Sequence, residues 1–309
     1  MDVRQLEAFL AVVDHGSFSA AAEALFTVQS NVSSHVARLE AEVGQPLLDR
    51  RSRELTPAGH AVERRGREVL RQIASIGDEL ASLEDRVIGE VECGTTPSVG
   101  LWVLPQTLAE TTRSWPEISV SIIEAQSDAL VQRVLNGSLD LAITTNTRSS
   151  EAAVDPLFDE DVVAVLSPEH ELAANERVTL GQLASSTLLL PLPDNPLYDH
   201  IARAFDQARV PLRNSIEVGS SALVSAMASA GLGVALVPAT AAPNSPELDG
   251  VRLPVSDLPP REVALTTRAG HAPSAAATVV ADILARTARS AASNMPGCRV
   301  RAGRNVDSA

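Results

Sequence analysis

Lysine is absent from this 309-residue chain: all 25 basic residues are arginine, against 39 acidic ones. The net charge of −14 argues against wholesale electrostatic attraction to nucleic acid or to an anionic membrane. The deficit is unevenly spread. Residues 1–71 hold nine Arg and ten acidic groups, whereas residues 89–309 hold 15 Arg and 25 acidic groups. A nearly neutral N-terminal quarter therefore precedes an acidic remainder, and contact of that quarter with any polyanion would need local basic points and more than one copy of it. Cysteine is almost missing as well. Cys93 and Cys298 lie far apart without metal-ligand spacing and are read as reduced, idle thiols. The alternative, a redox pair, requires both in one ordered and exposed region, and Cys298 falls in a polar tail. Six scattered His lack ligand spacing, no Gly-x-Ser-x-Gly elbow occurs, and Gly231-Leu232-Gly233 lacks the third glycine of a dinucleotide loop. Catalysis, a metal and a cofactor are thus not expected. Asp159-Glu160-Asp161 reads as a solvated run. No stretch approaches about 18 uninterrupted apolar residues, and Met1 opens an amphipathic segment instead of a leader. Neither a membrane span nor secretion is expected, which leaves the cytoplasm.

What is present begins with 45 % hydrophobic content, enough for two or three domains. Leu6, Phe9, Leu10 and Val13 predict a helix over about 3–14 that stops at Gly16. Ser19 is the candidate cap of a second helix over about 20–25. A third, over about 28–42, gathers Val28, Val32, Val36, Leu39 and Val43 into a narrow stripe. Gln29 opens it, Ser30 and Ser34 fall opposite the stripe with Ala37 and Ala41, and Asn31, Ser33 and Arg38 flank them. His35 is read as a surface group. Such a small, polar outer face lets a backbone approach a groove floor, where Asn and Gln suit adenine edges and Ser suits bases or phosphates. Arg50, Arg51 and Arg53 then cluster on a loop placed to meet a phosphate or a minor groove. The alternative is a generic three-helix bundle with a solvated face.

Thr56 before Pro57 marks another helix start. Val62, Val69, Ile73, Ile76, Leu80, Leu83 and Val87 then step as a heptad seam, broken only near Arg65 and Gly66. Val69, Ile73, Ile76, Leu80 and Leu83 are the candidate dimer contacts; the alternative is a helix packed on its own chain. Two chains would set two heads on a pseudo-palindrome. Beyond Gly89, strands over 91–95, 118–122 and 139–144 enclose a helix capped by Ser127 and stopped by Gly137, the pattern of a parallel sheet covered on both faces. A second unit spans 162–166, 188–190, 197–208, 215–218, 222–232 and 233–237. A strand over 263–267 and an Ala-rich helix over 274–292 close the fold. The expected organisation is a head over 1–57, a linker helix over 58–88, an α/β body over 89–292 and a disordered tail over 293–309. The body divides into lobes of 89–160 with 269–292, and 161–268.

The chain resembles the LysR-type transcriptional regulators. The likeness rests on Gly16-Ser17-Phe18-Ser19-x-Ala21-Ala22, Gln29-x-x-Val32-Ser33, Arg38-Leu39-Glu40, Gly44-x-Pro46-Leu47 and Leu55-Thr56-x-Ala58-Gly59. In the body it rests on Pro116, Gly137-x-Leu139-Asp140-Leu141-Ala142-Ile143 and Ala230-Gly231-Leu232-Gly233-Val234-Ala235-Leu236-Val237-Pro238. The resemblance covers about 1–292 and implies a winged helix-turn-helix, a long linker helix and a two-lobed α/β effector domain of periplasmic-binding-protein architecture. It implies operator contacts at Gln29 and Ser33, with Arg50 as the wing arginine. It also implies a homodimer or tetramer on double-stranded DNA and contact with RNA polymerase. Ser34 and His35 stand where a basic or amide side chain is common, and Leu48 where Phe is common. Ligands of such folds lie at strand ends against helix N-termini. Thr96, Ser98, Thr145, Asn146, Ser220 and Ser221 occupy those places and suit a small anion or polar metabolite. The competing reading is a cytoplasmic solute-binding or enzymatic α/β body with a helical N-terminus that does not bind DNA.

Overall fold

The computed structural model describes residues 1–49, 54–82, 86–241 and 250–301. Helix α1 (Val3–His15) starts at Asp2 with a reciprocal cap: Gln5 N donates to the Asp2 carboxylate and Asp2 N to the Gln5 amide oxygen. Helix α2 (Phe18–Ala24) is capped by Ser17, which accepts from Ala20 N at 3.1 Å. The expected cap, Ser19, lies two residues too far in, because extended backbone already ends at Ser17. Helix α3 (Gln29–Val43) buries Val32, Val36 and Leu39 against Leu6, Phe9, Ala21 and Leu47, with Val43 partly covered beside them. Val28 leaves the expected stripe. As the extended residue before the helix it points its side chain to solvent, 59 % exposed.

Leu48 and Leu55 form an antiparallel bridge, closed by Asp49 N donating to Glu54 O at 2.8 Å. Thr56 caps helix α4 (Pro57–Ser82), accepting from Gly59 N at 3.0 Å. Gly59 is obligatory there, since a Cβ would stand 2.1 Å from Leu47 O. The interruption of the heptad seam also has a cause. Gly66 is buried where Leu6 of α1 crosses α4, and Val62 and Leu70 pack into the head core on either side. The first turns of α4 therefore belong to their own chain.

The chain continues through β1 (Gly89–Thr95), α5 (Pro97–Ser114), β2 (Ile118–Glu124), α6 (Ser127–Asn136), β3 (Leu141–Thr145) and β4 (Ala152–Glu160). A second group follows: β5 (Val162–Leu166), α7 (Leu180–Leu183), β6 (Leu188–Pro191), α8 (Pro196–Gln207), β7 (Ser215–Val218), α9 (Ser221–Ser229), β8 (Val234–Pro238) and β9 (Val251–Pro254). Strand β10 (Arg261–Arg268), helix α10 (Ala275–Ser293) and strand β11 (Cys298–Val300) complete it. Two sheets result, ordered β11-β4-β10-β3-β1-β2 and β7-β6-β8-β5-β9. Apolar cores form where α5 and α10 cover the first sheet and where α7 and α8 cover the second.

Both sheets are mixed. The expected parallel pairing holds for β2-β1-β3 and β7-β6-β8, whereas β10, β4, β11, β5 and β9 run antiparallel to their neighbours. The chain leaves the first sheet by β4 and returns by β10, and an outward and a returning strand lie side by side in opposite senses. Residues 261–268, expected in the second lobe, consequently stand in the middle of the first sheet. Residues 298–300, expected to be disordered, pair with β4.

The acidic run at this crossing is not solvated. Glu160 is fully buried; Arg261 donates to it at 2.6 Å and Thr240 N at 2.8 Å. Asp161 receives Arg299 and Asp159 receives Arg301, both at 2.9 Å. A buried carboxylate needs such company, because the desolvation of an unpaired charge is prohibitive. No helix among the described residues is long and apolar enough to cross a membrane.

Candidate DNA-reading head and effector cleft

Burial of one face of α3 leaves the other to solvent. Gln29, Ser30, Asn31, Ser34 and Arg38 are exposed and Ser33 is half-buried. Two contacts pre-set the leading end: Ser19 Oγ donates to the Gln29 amide oxygen at 3.3 Å, and Asn31 Nδ2 donates to Thr27 Oγ1 at 3.0 Å. His35 departs from its expected surface role. It is half-buried, and its Nδ1 is shielded without a partner. Glu40 ties α3 to the following loop by accepting from Leu47 N at 2.7 Å and from Leu48 N at 3.4 Å. The pair Asp49–Glu54 brackets the arginine cluster, but Arg50, Arg51 and Arg53 themselves lie outside the described residues.

Along α4, Val69 and Ile73 are 45 % exposed and Ile76 is 59 % exposed, three neighbours on one stripe that the described residues of a single chain leave about half open. Only the backbone of Leu80 is described, and Leu83 lies outside the described residues. The opposite side of α4 docks on the body through charge. Buried Glu63 accepts from Asn136 Nδ2 at 3.0 Å and from Arg67 at 3.3 Å, while Arg67 also reaches Asp14 of α1 at 3.1 Å. Arg71 lies over Gly137, where a Cβ would stand 2.0 Å from its guanidinium and φ is +79°, and 3.8 Å from Asp140. Glu68 meets His271 Nε2 at 2.6 Å, Arg65 at 2.9 Å and Arg268 at 3.7 Å. The His271 contact, reinforced by Arg65, holds the Glu68 carboxyl down at about 2.

The hydroxyl ring expected at the strand ends divides in three. Thr96 is buried at the start of α5, and its Oγ1 has no partner. Ser98, two residues on, is half-buried. Thr145 is held by Ser127, whose Oγ accepts from Thr145 N at 2.9 Å and lies 3.0 Å from Thr145 Oγ1. Ser127 was expected to cap α6 from outside; it is the first residue of the helix, with Gln126 before it as the N-cap. Asn146 and Ser220 are occupied structurally. Asn146 lies at φ 51°; its backbone N donates to Glu262 O and its side-chain Oδ1 accepts from Glu262 N, each at 2.9 Å. Ser220 caps α9, accepting from Leu223 N at 3.4 Å. Of Ser221 only the backbone is described. Ser225 and Ser229 escaped the sequence reading, and Ser127 was read only as a cap: the first two carry shielded hydroxyls without partners on α9, and nothing in local spacing distinguishes a buried helical serine from an exposed one. Among the described residues no group of His, Cys, Asp and Glu is arranged to hold a metal ion.

A helix with an exposed polar face on a compact trihelical head, joined by a long helix to two α/β sheets, defines a DNA-binding transcriptional regulator with an effector-binding domain. The chain belongs to the LysR family. Residues 3–60 match the family described as bacterial regulatory helix-turn-helix protein, lysR family, and residues 84–289 match the LysR substrate binding domain. It is 32 % identical over 275 residues to the hydrogen peroxide-inducible genes activator of Pectobacterium carotovorum subsp. carotovorum, covering 87 % of this chain and 91 % of that one. Against a probable hydrogen peroxide-inducible genes activator of Streptomyces viridosporus the identity is 33 %, covering 87 % and 88 %. Among solved structures, a full-length cysteine-to-aspartate variant of OxyR from Pseudomonas aeruginosa superposes with a TM-score of 0.76 at 23 % identity, over 94 % of this chain and 95 % of that one. CbnR complexed with its target DNA superposes with a TM-score of 0.62 at 24 % identity, over 93 % and 100 %.

Proposed function

We propose that this regulator works in the cytoplasm as a homodimer or tetramer. Two heads grip an inverted repeat, and a small anion or polar metabolite held at the strand ends of the body changes how they are set. Gln29, Ser30, Asn31, Ser33 and Ser34 read base edges, and Arg38, Arg50 and Arg53 hold phosphates or the minor groove. The observation that carries this reading is the two-sidedness of α3, with Val32, Val36 and Leu39 buried behind an exposed row of hydroxyls and amides. Thr96, Ser98, Thr145, Asn146, Ser220 and Ser221 mark the effector region, with Thr96 the foremost donor because its hydroxyl is unsatisfied. Contact with RNA polymerase completes the proposal on family grounds.

The names of the relatives suggest a second trigger, peroxide, but the thiols of this chain disfavour it. Burial pushes Cys93 up to about 12; burial, with Glu160 and Asp161 nearby, does the same to Cys298. The nucleophile toward an oxidant is the thiolate, which is scarce at such values. Cys93 on β1 and Cys298 on β11 are also four strands apart in one sheet, about 19 Å at the usual spacing, too far for a disulfide. An effector bound without covalent change is the better-supported trigger.

The test is a gel shift with DNA from upstream of the protein's own gene. Ser33→Ala and Arg50→Ala are each expected to weaken binding by tenfold or more (roughly 1–3 kcal/mol per lost contact) while sedimentation mass stays unchanged. Wild-type footprints from both variants would remove α3 and the following loop from the interface.

A further inference from the structure

Aromatic residues are scarce here: five Phe, two Trp and one Tyr. Phe9, Phe158 and Phe205 are fully buried, and Phe18, Trp102, Trp115 and Tyr198 are partly buried against cores. Phe26 alone is open, with 96 % of its surface exposed. Its backbone is also unusual, with φ at 50° in the left-handed region that Gly or Asn would occupy at lower cost. The chain thus forgoes both the burial of a large ring and a relaxed backbone at one position. Such departures concentrate where function requires them.

The position is the turn between α2 and α3, three residues before Gln29. Phe26 N donates to Glu23 O at 3.1 Å and Thr27 N to Ala22 O at 2.9 Å, while Thr27 Oγ1 is held by Asn31 of α3. The ring therefore stands on a fixed frame and not on a loose loop. Leu25 and Val28 flank it, 38 % and 59 % exposed, so a small apolar shelf continues directly into the polar face of α3. Among the described residues no other large apolar side chain is exposed on that face. Recognition helices of this motif approach base edges with their N-terminal residues. On the floor of the major groove the one strongly apolar feature is the thymine methyl group, for which Phe is a suitable contact.

We infer that Phe26 is a specificity-determining residue whose ring packs against a thymine 5-methyl at the edge of each half-site. The inference rests on the reading of α3 as the DNA-contacting helix. It adds an apolar readout to a face that otherwise offers only hydrogen bonds.

The full-length protein is used to select a duplex from a random library, and each thymine of that duplex is replaced singly by uracil, which keeps the pairing edge and lacks only the methyl. Wild type is expected to lose about fourfold in affinity at one thymine per half-site, the value of one buried methyl, and about an order of magnitude when both half-sites are changed. Phe26→Ala and Phe26→Gly are expected to bind the thymine duplex as wild type binds the uracil one, and to ignore the exchange. Phe26→Gly also relieves the backbone, so it melts no lower than wild type and loss of binding cannot be assigned to unfolding. Wild-type affinity and an unchanged uracil profile for Phe26→Ala would overturn the inference. So would uniform weakening on every duplex, which places the ring on the sugar–phosphate backbone, or a fall in sedimentation mass, which makes it a contact between copies. Ser33→Ala run in parallel separates the two levels: loss there with Phe26→Ala unaffected sinks the methyl contact alone, and retention by both sinks the reading of α3.

Discussion

Thr96 carries a buried hydroxyl without a protein partner, at the start of an 18-residue helix. A buried group of this kind costs about 1–3 kcal/mol, and replacing it by an apolar isostere is neutral or stabilising. Thr96→Val is therefore expected to melt at or above the wild-type temperature without ligand. If the hydroxyl is held for an effector, the same variant loses the rise in melting temperature that wild type shows with the active member of a carboxylate and amino-acid panel. An undiminished rise would dismiss Thr96 as a ligand group. Asn146 and Ser220, whose side chains already bond the backbone, are the positions at which a hydroxyl or amide serves the fold itself.

A single stripe of α4 serves two purposes along its length. Its first turns, around Val62, Gly66 and Leu70, are covered by the head of the same chain, and its later turns leave Val69, Ile73 and Ile76 about half exposed. Each of these side chains is worth about 1.5–3 kcal/mol if fully buried, and the exposed remainder is available to a second copy of the chain. Ile76→Glu is expected to convert the assembly to monomers at micromolar concentration, seen as a fall in sedimentation mass. Helical circular dichroism is retained, since Glu is a good helix former. A mass equal to wild type would show that α4 does not carry the contact. At the same scale, the interruption at Arg65 and Gly66 looked like a flaw in a dimer seam. It is the place where α1 and α4 approach, and periodicity alone does not say which partner a stripe meets.

For the molecule as a whole, the head and the body are joined by ion pairs on α4. Glu68 is the clearest titration point. Its carboxyl is lowered from 4.5 to about 2, first by His271 and then by Arg65. A depressed carboxylate contributes stability that is fully present above its unfolded value and is lost as pH falls through its folded value. The docking of α4 should therefore weaken between about 4.5 and about 2. His271→Ala lowers the guanidinium midpoint at pH 6, and the gap between wild type and variant is expected to close as pH falls through that window. A gap that does not change with pH would show that the contact adds nothing to stability. The acidic body also takes on a different meaning at this scale. Asp159, Glu160, Asp161 and Glu262 are spent on Arg261, Arg299 and Arg301, binding the crossing between the two sheets and the C-terminal strand together.

The head was legible almost residue by residue, because short helices declare themselves through local spacing and their amphipathic faces follow from it. Val32, Val36 and Leu39 could be placed inside and Ser30 and Ser34 outside from a helical projection alone, with Asn31, Ser33 and Arg38 on the flanks, whereas Val28, placed inside by the same projection, stands open before the helix. The α/β character of the body was legible too, since Ile118–Ile122 and Leu139–Thr144 alternate or run apolar as strands do. The sense of β5 and β10 was not, and β4, β9 and β11 were not anticipated as strands. β4 and β10 lie side by side because the chain passes out of one sheet and back, and a strand's sequence does not encode the direction of its neighbour. The candidate effector loops were named from strand ends, but Ser127, 18 residues from Thr145, became the partner of that hydroxyl only through the fold.

Sequence alone thus determined the family, the polar outer face of α3, the apolar stripe of α4 and the layered body, each a property of residues a few positions apart. The tertiary structure alone decided which charges are buried and with whom. Glu160 finds Arg261 across 101 positions and Glu68 finds His271 across 203. Periodicity is a local signal set by backbone geometry, whereas the partner of a buried charge depends on the path of the whole chain.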